Sequence, residues 1–434
     1  MDQSLTETSV PRLTLEIVRD IIAKDEPDVV IDNIEEEPGS ARGDNYTSML
    51  YRIRAKGTKS SAFGQNRAWE CAIIYKVLPL SQEHRDTYKS EVLFRNEVAF
   101  YTHVWPTLNQ LQRNVNKVFA GVPKIYLARS DLIAMEDLKE KGYVMADRQK
   151  GLQVHHLKLV LEALAGFHAL SLTLRNTRPD LFDHLSNEKN EGSVREAMFR
   201  IENEGWYRQY YRDVARNAIS MVSETLPSTY EHKRDEIMKK LRDFFHEDVF
   251  FPTMCELAST RSELTVFCHG DCWTNNILFA EKNASNIEAV CLVDFQLSRV
   301  GSLALDLSNL LYCCTSGAIR QAHMTELLGH YHGHLMDALQ TLTPNKQPAT
   351  DSGHMWQLLN EEMRRCGRFG VGLAIDTLPM TTCASNEAPD LYEDVLMDDH
   401  GEKARNPRAP PPGGAACARL MTDLVLEFIQ NGAL

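Results

Sequence analysis

One stretch, "VFCHGDCWTNNILF" at residues 266–279, constrains the fold of this chain most. It sets His269, Asp271, two cysteines and two asparagines between short apolar runs, the pattern of a polar loop joining two strands. Eighteen residues after Asn276, the strand-like run "CLVDFQ" ends at Asp294. The hairpin "LFAEKNASNIEAVCLV" between them brings Asn276 and Asp294 back alongside each other.

Three chemistries use such residues. A structural zinc needs four ligands, usually as two separated pairs. Cys268, His269 and Cys272 offer three within five residues, but no second Cys/His pair stands at a suitable distance. Cys313 and Cys314 are adjacent in an apolar helical pattern, where core packing accounts for them. A cysteine nucleophile needs a thiolate and a base, and the closeness of His269 to Cys272 in sequence does not make them face each other. Phosphoryl transfer needs a carboxylate that accepts or orients the acceptor proton. It also needs an amide oxygen and a second carboxylate that hold Mg²⁺ against the ATP phosphates. Asp271, Asn276 five residues on, and Asp294 after the next strand follow the kinase-type order H-x-D-x4-N…D-F-x. Each piece is weak alone, and their order on these elements favours the third chemistry.

Such a site also wants a lysine on an earlier strand, paired with a glutamate on the following helix. "AIIYKVL" supplies Lys76, and "LFRNEVAFY" supplies Glu97, 21 residues on. Taken singly, each reads as an exposed charge; their spacing relative to Asp271, Asn276 and Asp294 overturns that. A phosphate-covering loop is less defined. "GSARGDNYTSMLYRI" holds Gly39 and Gly43 without G-x-G-x-x-G, and reads equally as an ordinary turn.

Around these residues the chain divides in two. Leu13, Ile17, Ile21 and Ile22 have helical spacing; "TSMLYRIRA" and "WECAIIYKVL" read as strands around the loop "KGTKSSAFGQNRA". Residues 88–104 read as one helix, and "KIYLAR" and "DLIAMED" as two short strands. Then helical patterns dominate: "HHLKLVLEALAGFHALSLTL", two helices over 192–250, and more from Leu303 to about Arg368. Short strands return at "LTVFC", "NILFA" and "IEAVCLVDF". "RNPRAPPPGGAA" reads as a Pro/Gly linker before a last helix carrying Leu420, Leu424 and Phe428 on one stripe. The expected architecture is α+β and bilobal: residues 1–138 form a small β-rich lobe with one long helix, and 139–434 a larger, mostly helical lobe.

With 434 residues, 43% of them hydrophobic, the chain can bury two such lobes. Its net charge of -13 argues against a nucleic-acid or anionic-membrane partner. The ten cysteines show no disulfide framework, the N-terminus lacks the apolar core of a signal peptide, and no run approaches the ~18 apolar residues of a span. A reducing, cytoplasmic location without membrane insertion is expected.

The chain resembles the ecdysteroid kinase-like (CHK kinase-like) family, relatives of choline kinases and aminoglycoside phosphotransferases within the protein-kinase-like folds. The matching segments include "AIIYKVLP", "FRNEVAFYTHVWP", "LIAMEDLKEKGYVMADR", "VFCHGDCWTNNILF", "VCLVDFQLSRVGSLALDLSNLLY" and "CGRFGVGLAIDTLPM", and run from about residue 43 to 380. The resemblance implies that Asp271 is the catalytic base and that Asn276 and Asp294 are Mg²⁺ ligands. Lys76 is then the ATP-phosphate lysine held by Glu97, and the backbone of Glu136 and Leu138 in "MEDL" meets adenine. Asp306 then buttresses the loop, its alternative being a simple helix N-terminal charge, and His269 supports the loop backbone. Gln296 is usual for the family after Asp-Phe, whereas Cys272 stands where Leu or Val is usual.

The expected activity is ATP- and Mg²⁺-dependent phosphorylation of a small-molecule alcohol, an ecdysteroid or xenobiotic conjugate being one acceptor class. A choline- or ethanolamine-type kinase is a second reading, with Trp206, Tyr207, Tyr210 and Tyr211 as a possible cation cage or as core. A silent nucleotide-binding pseudokinase is a third. Neither the acceptor nor the oligomeric state is written in the sequence.

Overall fold

Alternating side chains turn the first third of the chain into a two-faced sheet. The computed structural model describes residues 11–39, 48–60, 66–79, 81–283, 286–343, 351–384 and 413–434. Helix α1 (Leu15–Ala23), capped by the Thr14 hydroxyl, buries Val18, Ile21 and Ile22. Strands β1 (Val29–Pro38), β2 (Met49–Ser60) and β3 (Asn66–Val77) follow. Next come α2 (Gln82–Tyr88), α3 (Ser90–Ala99), a π-helical turn (Phe100–Val104) and α4 (Trp105–Gln110). Strands β4 (Ile125–Arg129) and β5 (Leu132–Glu136) complete an antiparallel sheet in the order β1-β2-β3-β5-β4.

Ile73, Tyr75, Val77, Leu132 and Ala134 share one face of this sheet and form a small core with α1. The residues between them point the other way. On that face Ile74, Ile133 and Met135 pack onto the large core of the helical part, which also takes in Phe94, Phe100, Tyr101 and Val104.

The helix expected over residues 88–104 is interrupted. Lys89 adopts a left-handed conformation (φ 53°) between α2 and α3, and after Ala99 the chain widens into the π turn. Pro106 follows on α4; it has no N–H to give to the carbonyl four residues back, and a widened turn relieves that mismatch. The loop expected over 56–68 is shorter too, because β2 continues to Ser60 and β3 starts at Asn66. The two polar strand tips stay in register, Lys56 opposite Glu70 and Lys59 opposite Arg67, since a ladder of backbone bonds tolerates polar side chains on both faces. Gly43 and most of the expected phosphate-covering loop lie outside the described residues, as do 61–65.

Beyond β6 (Tyr143–Met145) the chain is mostly helical: α5 (Val154–Thr177), α6 (Pro179–Ser186), α7 (Glu204–Thr225), α8 (Arg234–Phe244) and α9 (Glu247–Ser259). Three α-helices therefore begin within 192–250, not two. The His246 ring accepts the Asp248 N–H and starts α9 afresh directly after α8. Strands β7 (Thr265–Cys268), β8 (Ile277–Asn283), β9 (Asn286–Leu292) and β10 (Arg299–Ser302) form two small sheets, β10-β7 and β6-β8-β9. Helices α10 (Leu303–Cys313), α11 (Gly317–Leu342), α12 (Ser352–Thr382) and α13 (Gly414–Gln430) finish the fold.

Helix α12 runs well past Arg368 and through Pro379. Its glycines serve contact: a Cβ on Gly370 would stand 2.7 Å from the Ser308 carbonyl oxygen, so the two helices cross backbone to backbone. Helix α13 begins inside the expected linker, whose residues 405–412 lie outside the described residues. Among the described residues one helix, α5, is long and apolar enough to cross a membrane, and 78% of its most apolar window is buried within the fold.

Candidate active site

Lys76 sits on the central strand β3, opposite Leu50 of β2 and Ile133 of β5. Alternation turns it away from the small core, toward α3. Its Nζ donates to Glu97 Oε2 at 2.7 Å and to Asp294 Oδ1 at 2.8 Å. Lys76 is 3% exposed and Glu97 not at all, whereas the Asp294 side chain is 22% exposed, so one cation joins a buried carboxylate to a half-buried one. Burial works against the Lys76 charge, but the Asp294 and Glu97 carboxylates outweigh it and hold the ammonium well above its ordinary pKa. Glu97 is pushed up to about 7 by burial, with Lys76 opposing the rise.

Asp294 lies just past β9 in a left-handed conformation (φ 64°), which aims its carboxylate back at Lys76. Gln296 Nε2 donates to Asp294 Oδ2 at 3.3 Å. Helix α3 is fastened to this same loop. Asn96, next to Glu97 and buried, donates from Nδ2 to the carbonyls of Gln296 (2.9 Å) and Ser298 (2.6 Å), and its Oδ1 accepts the Arg195 N–H at 2.9 Å. Phe100 stacks on Phe295, with centroids 3.8 Å apart.

The loop His269–Asn276 leaves the buried strand β7, which pairs antiparallel with β10. Asp306, in the first turn of α10, takes the backbone N–H of His269 on Oδ2 (2.7 Å) and that of Gly270 on Oδ1 (2.9 Å). His168 Nε2 lies 3.1 Å from the same Oδ2, and its Nδ1 lies 2.8 Å from the Tyr331 hydroxyl. With Nε2–H donating to the carboxylate, Nδ1 accepts from tyrosine. Burial disfavours the Asp306 charge, yet the His168 hydrogen bond and nearby donors hold its carboxyl below 3.8. Gly270 has φ +90°, and a Cβ there would stand 1.9 Å from the Leu297 carbonyl oxygen. Only glycine fits.

His269 braces the loop from within. Its Nδ1 accepts the Asp271 N–H at 3.2 Å and its Nε2 pairs with the Val293 carbonyl at 3.0 Å. Burial lowers its pKa, so the ring stays neutral and structural. Arg299 Nη2 donates to the Gly270 carbonyl at 3.0 Å, and its Nε lies 2.8 Å from Glu196 Oε2.

Asn276 Nδ2 donates to both the backbone oxygen (3.0 Å) and Oδ2 (2.9 Å) of Asp271. That commits the amide nitrogen and leaves its oxygen as the ligand-type atom. Asp271 is pushed up to about 7, chiefly by burial and then by the Asp294 charge, against the pull of Arg299 and Asn276. A carboxyl poised there can take a proton near neutral pH.

The fold thus gathers Lys76, Glu97 and Asp294 at one point, and Asp271 and Asn276 at a second within reach of the first charge. The signature of the Ecdysteroid kinase-like family matches residues 42–343, well over half of the chain. The chain belongs to the ecdysteroid kinase-like family. Choline kinase from Cryptosporidium parvum Iowa II is a remote structural likeness, with TM-score 0.40 and 13% identity over 97% of this chain and 98% of that one. No residue role rests on it. A comparison with curated proteins finds no match.

In this family member, the expected hinge lies where β5 ends. The Glu136 N–H is bonded to the Lys124 carbonyl at 2.9 Å, and Leu138 opens a short 3₁₀ turn capped by Asp137. The other two chemistries lose their footing. Cys268 and Cys272 are fully buried, and burial raises both thiols well above their ordinary range, away from thiolate. Among the described residues, Cys268, His269 and Cys272 do not converge as metal ligands.

The aromatic stretch packs inward rather than forming an open cage. Tyr207 and Tyr211 are 6% exposed, and Phe199 and Phe251 pack around them in tilted and edge-on contacts. Lys89 already sits over Trp206, 4.9 Å from the ring centre. Tyr210 instead hydrogen-bonds Asp376, a carboxylate on α12 that burial pushes up to about 6 against the pull of that bond. Sequence reading did not find Asn96, His168, Glu196, Arg299 or Asp376. Two carried a local signal: His168, on the apolar face of its helical pattern, and Asp376, a charge amid the apolar run "FGVGLAIDTLPM".

Proposed function

We propose that this chain is an ATP- and Mg²⁺-dependent small-molecule kinase that phosphorylates a hydroxyl of an alcohol acceptor, an ecdysteroid or xenobiotic conjugate being the leading class. The observation that carries this is Lys76 bridging Glu97 and Asp294 at 2.7 and 2.8 Å, beside an Asp271–Asn276 pair. In this reading residues 1–138 cover the nucleotide and 139–434 supply the loop and the acceptor side. The Glu136 carbonyl and the Leu138 N–H meet adenine, and Lys76 holds ATP phosphates. Asp271 takes the acceptor O–H proton as the acceptor oxygen bonds to the γ-phosphorus and the bond to the β-phosphate oxygen breaks, leaving ADP. Asn276 and Asp294 are hard oxygen donors of the kind Mg²⁺ prefers, and they would hold it. That ion, when bound, neutralises phosphate charge. All ten cysteines are free thiols, which supports a reducing, cytoplasmic setting.

A cationic alcohol such as choline is the second reading. Asp376, a half-buried carboxylate whose hydrogen-bond partner is Tyr210, favours it. The test is a panel of ecdysteroids, choline, ethanolamine and other alcohols with Mg-ATP, read by mass spectrometry for phosphorylated product. Wild type yields one, while Asp271→Asn and Asp294→Ala fold but do not. Wild-type turnover by either variant would overturn the roles, and ATP binding without any product would leave a pseudokinase.

A further inference from the structure

Away from the phosphoryl-transfer loop, the seam between α5 and α11 carries three side chains whose ligand atoms converge. His330 and His334 stand one turn apart on α11, so both rings leave the helix on one face. Their centroids are 4.5 Å apart. Glu162 reaches across from α5, its Oε1 2.9 Å from His330 Nε2 and 3.4 Å from His334 Nε2. All three ligand atoms lie within 4.8 Å of one another.

In the neighbouring cross-seam cluster a lysine supplies the charge: Lys158 pairs with Glu326 at 2.6 Å, and the single imidazole of His323 lies 2.9 Å from the same carboxylate. Glu162 is matched instead by two imidazoles, and no Lys or Arg is ion-paired with it among the described residues. The distances fit a metal. Tetrahedral zinc with nitrogen and oxygen ligands at about 2.0–2.1 Å separates neighbouring ligand atoms by roughly 3.3 Å. The two measured separations lie on either side of that value. The side chains of His330, His334 and Glu162 are 22%, 42% and 39% exposed, so water can reach a fourth position. A set of two imidazoles and one carboxylate suits zinc over Mg²⁺.

We propose that Glu162, His330 and His334 form a zinc site that staples α5 to α11. The staple lies on the helix pair that also carries the His168–Tyr331 bond, whose histidine meets Asp306.

Full-length protein is first stripped with a chelator, then titrated with zinc in excess Mg²⁺, so that Asn276 and Asp294 do not enter the count. Calorimetry is expected to show one zinc equivalent, and thermal unfolding a rise of a few degrees with zinc. Cobalt in its place is expected to give a visible absorption band. The double variant His330→Ala/His334→Ala loses the equivalent, the band and the thermal shift. Glu162→Gln loses them too, although it keeps an acceptor for both imidazoles, which separates a metal site from a hydrogen-bonded cluster. It also keeps the test open if the histidine variant fails to fold. Equal zinc stoichiometry and thermal shift in wild type and Glu162→Gln would overturn the proposal, as would wild-type binding only at millimolar zinc.

Discussion

Asp306→Asn exchanges one oxygen for an amide group inside a fully buried cluster. The carboxylate accepts three hydrogen bonds, from His269 N (2.7 Å), Gly270 N (2.9 Å) and His168 Nε2 (3.1 Å). An amide has one oxygen, so whichever way it turns its NH₂ faces an N–H donor. The cheaper orientation leaves the Gly270 N–H unpaired, at about 1–3 kcal/mol. The two surviving bonds fall from charged to neutral, at about 1 kcal/mol each. The sum is roughly 3–5 kcal/mol. At about 2–3 °C per kcal/mol for a lobe of this size, Tm falls by roughly 6–15 °C. Because Gly270 precedes Asp271, kcat is expected to drop at least about tenfold, and the amides of residues 269–270 to exchange faster with deuterium. The Asp306 pKa is depressed in the fold, so its stabilisation is complete above the unfolded value of 3.8 and is lost as pH falls through the folded value. The gap between wild type and variant should therefore close below that pH. A Tm within about 1 °C of wild type with unchanged turnover would refute the buttress.

Lys76→Met leaves Glu97 and Asp294 without their cation and should cost about 3–5 kcal/mol; adding Glu97→Met should restore much of the Tm but not the activity, and a double variant no more stable than the single would rule out the coupling. Asp271 has a raised folded pKa of about 7 against 3.8, so stability tied to its neutral form is present below 3.8 and lost as pH rises through about 7. Asp271→Asn should accordingly gain more Tm over wild type at about pH 8 than at about pH 5, and an equal gain at both would contradict the burial of that charge. Gly270→Ala, forced against the Leu297 carbonyl at 1.9 Å, should lower stability by at least about 2–3 kcal/mol and abolish turnover; calorimetry showing no loss would mean the loop is not held as described.

Much of the architecture was legible because it is periodic. Alternation announced β2, and the three- and four-residue spacing announced α5 and α13. Lys76, Glu97, Asp271, Asn276 and Asp294 stood out because their order along the chain is itself a pattern. Asn96, Arg299, His168 and Glu196 did not, since each acts through a partner distant in sequence: Asn96 through carbonyls 200 and 202 residues on, His168 through Asp306 138 residues on. Asn96 reads as surface until the fold supplies its partners, and His168, on the apolar face of its helix, reads as core. The π turn and the extent of α12 escaped for a related reason. Local propensity reads Pro379 and several glycines as breakers, whereas packing against α10 rewards the absence of side chains there.

The attachment of α3 bears on how such an enzyme could be switched. Many kinases are turned off by swinging the corresponding helix outward, which parts the lysine from its glutamate. Here that swing would break the three hydrogen bonds of Asn96, at about 1 kcal/mol net each, and uncover Phe100, at about 2–3 kcal/mol. A swung-out state would then hold on the order of one molecule in ten thousand. The sheet is held on both faces, by α1 on one and by Ile74, Ile133 and Met135 against the large core on the other. For the proposed activity, control by nucleotide and acceptor supply fits such a scaffold better than control by an off-state of the helix.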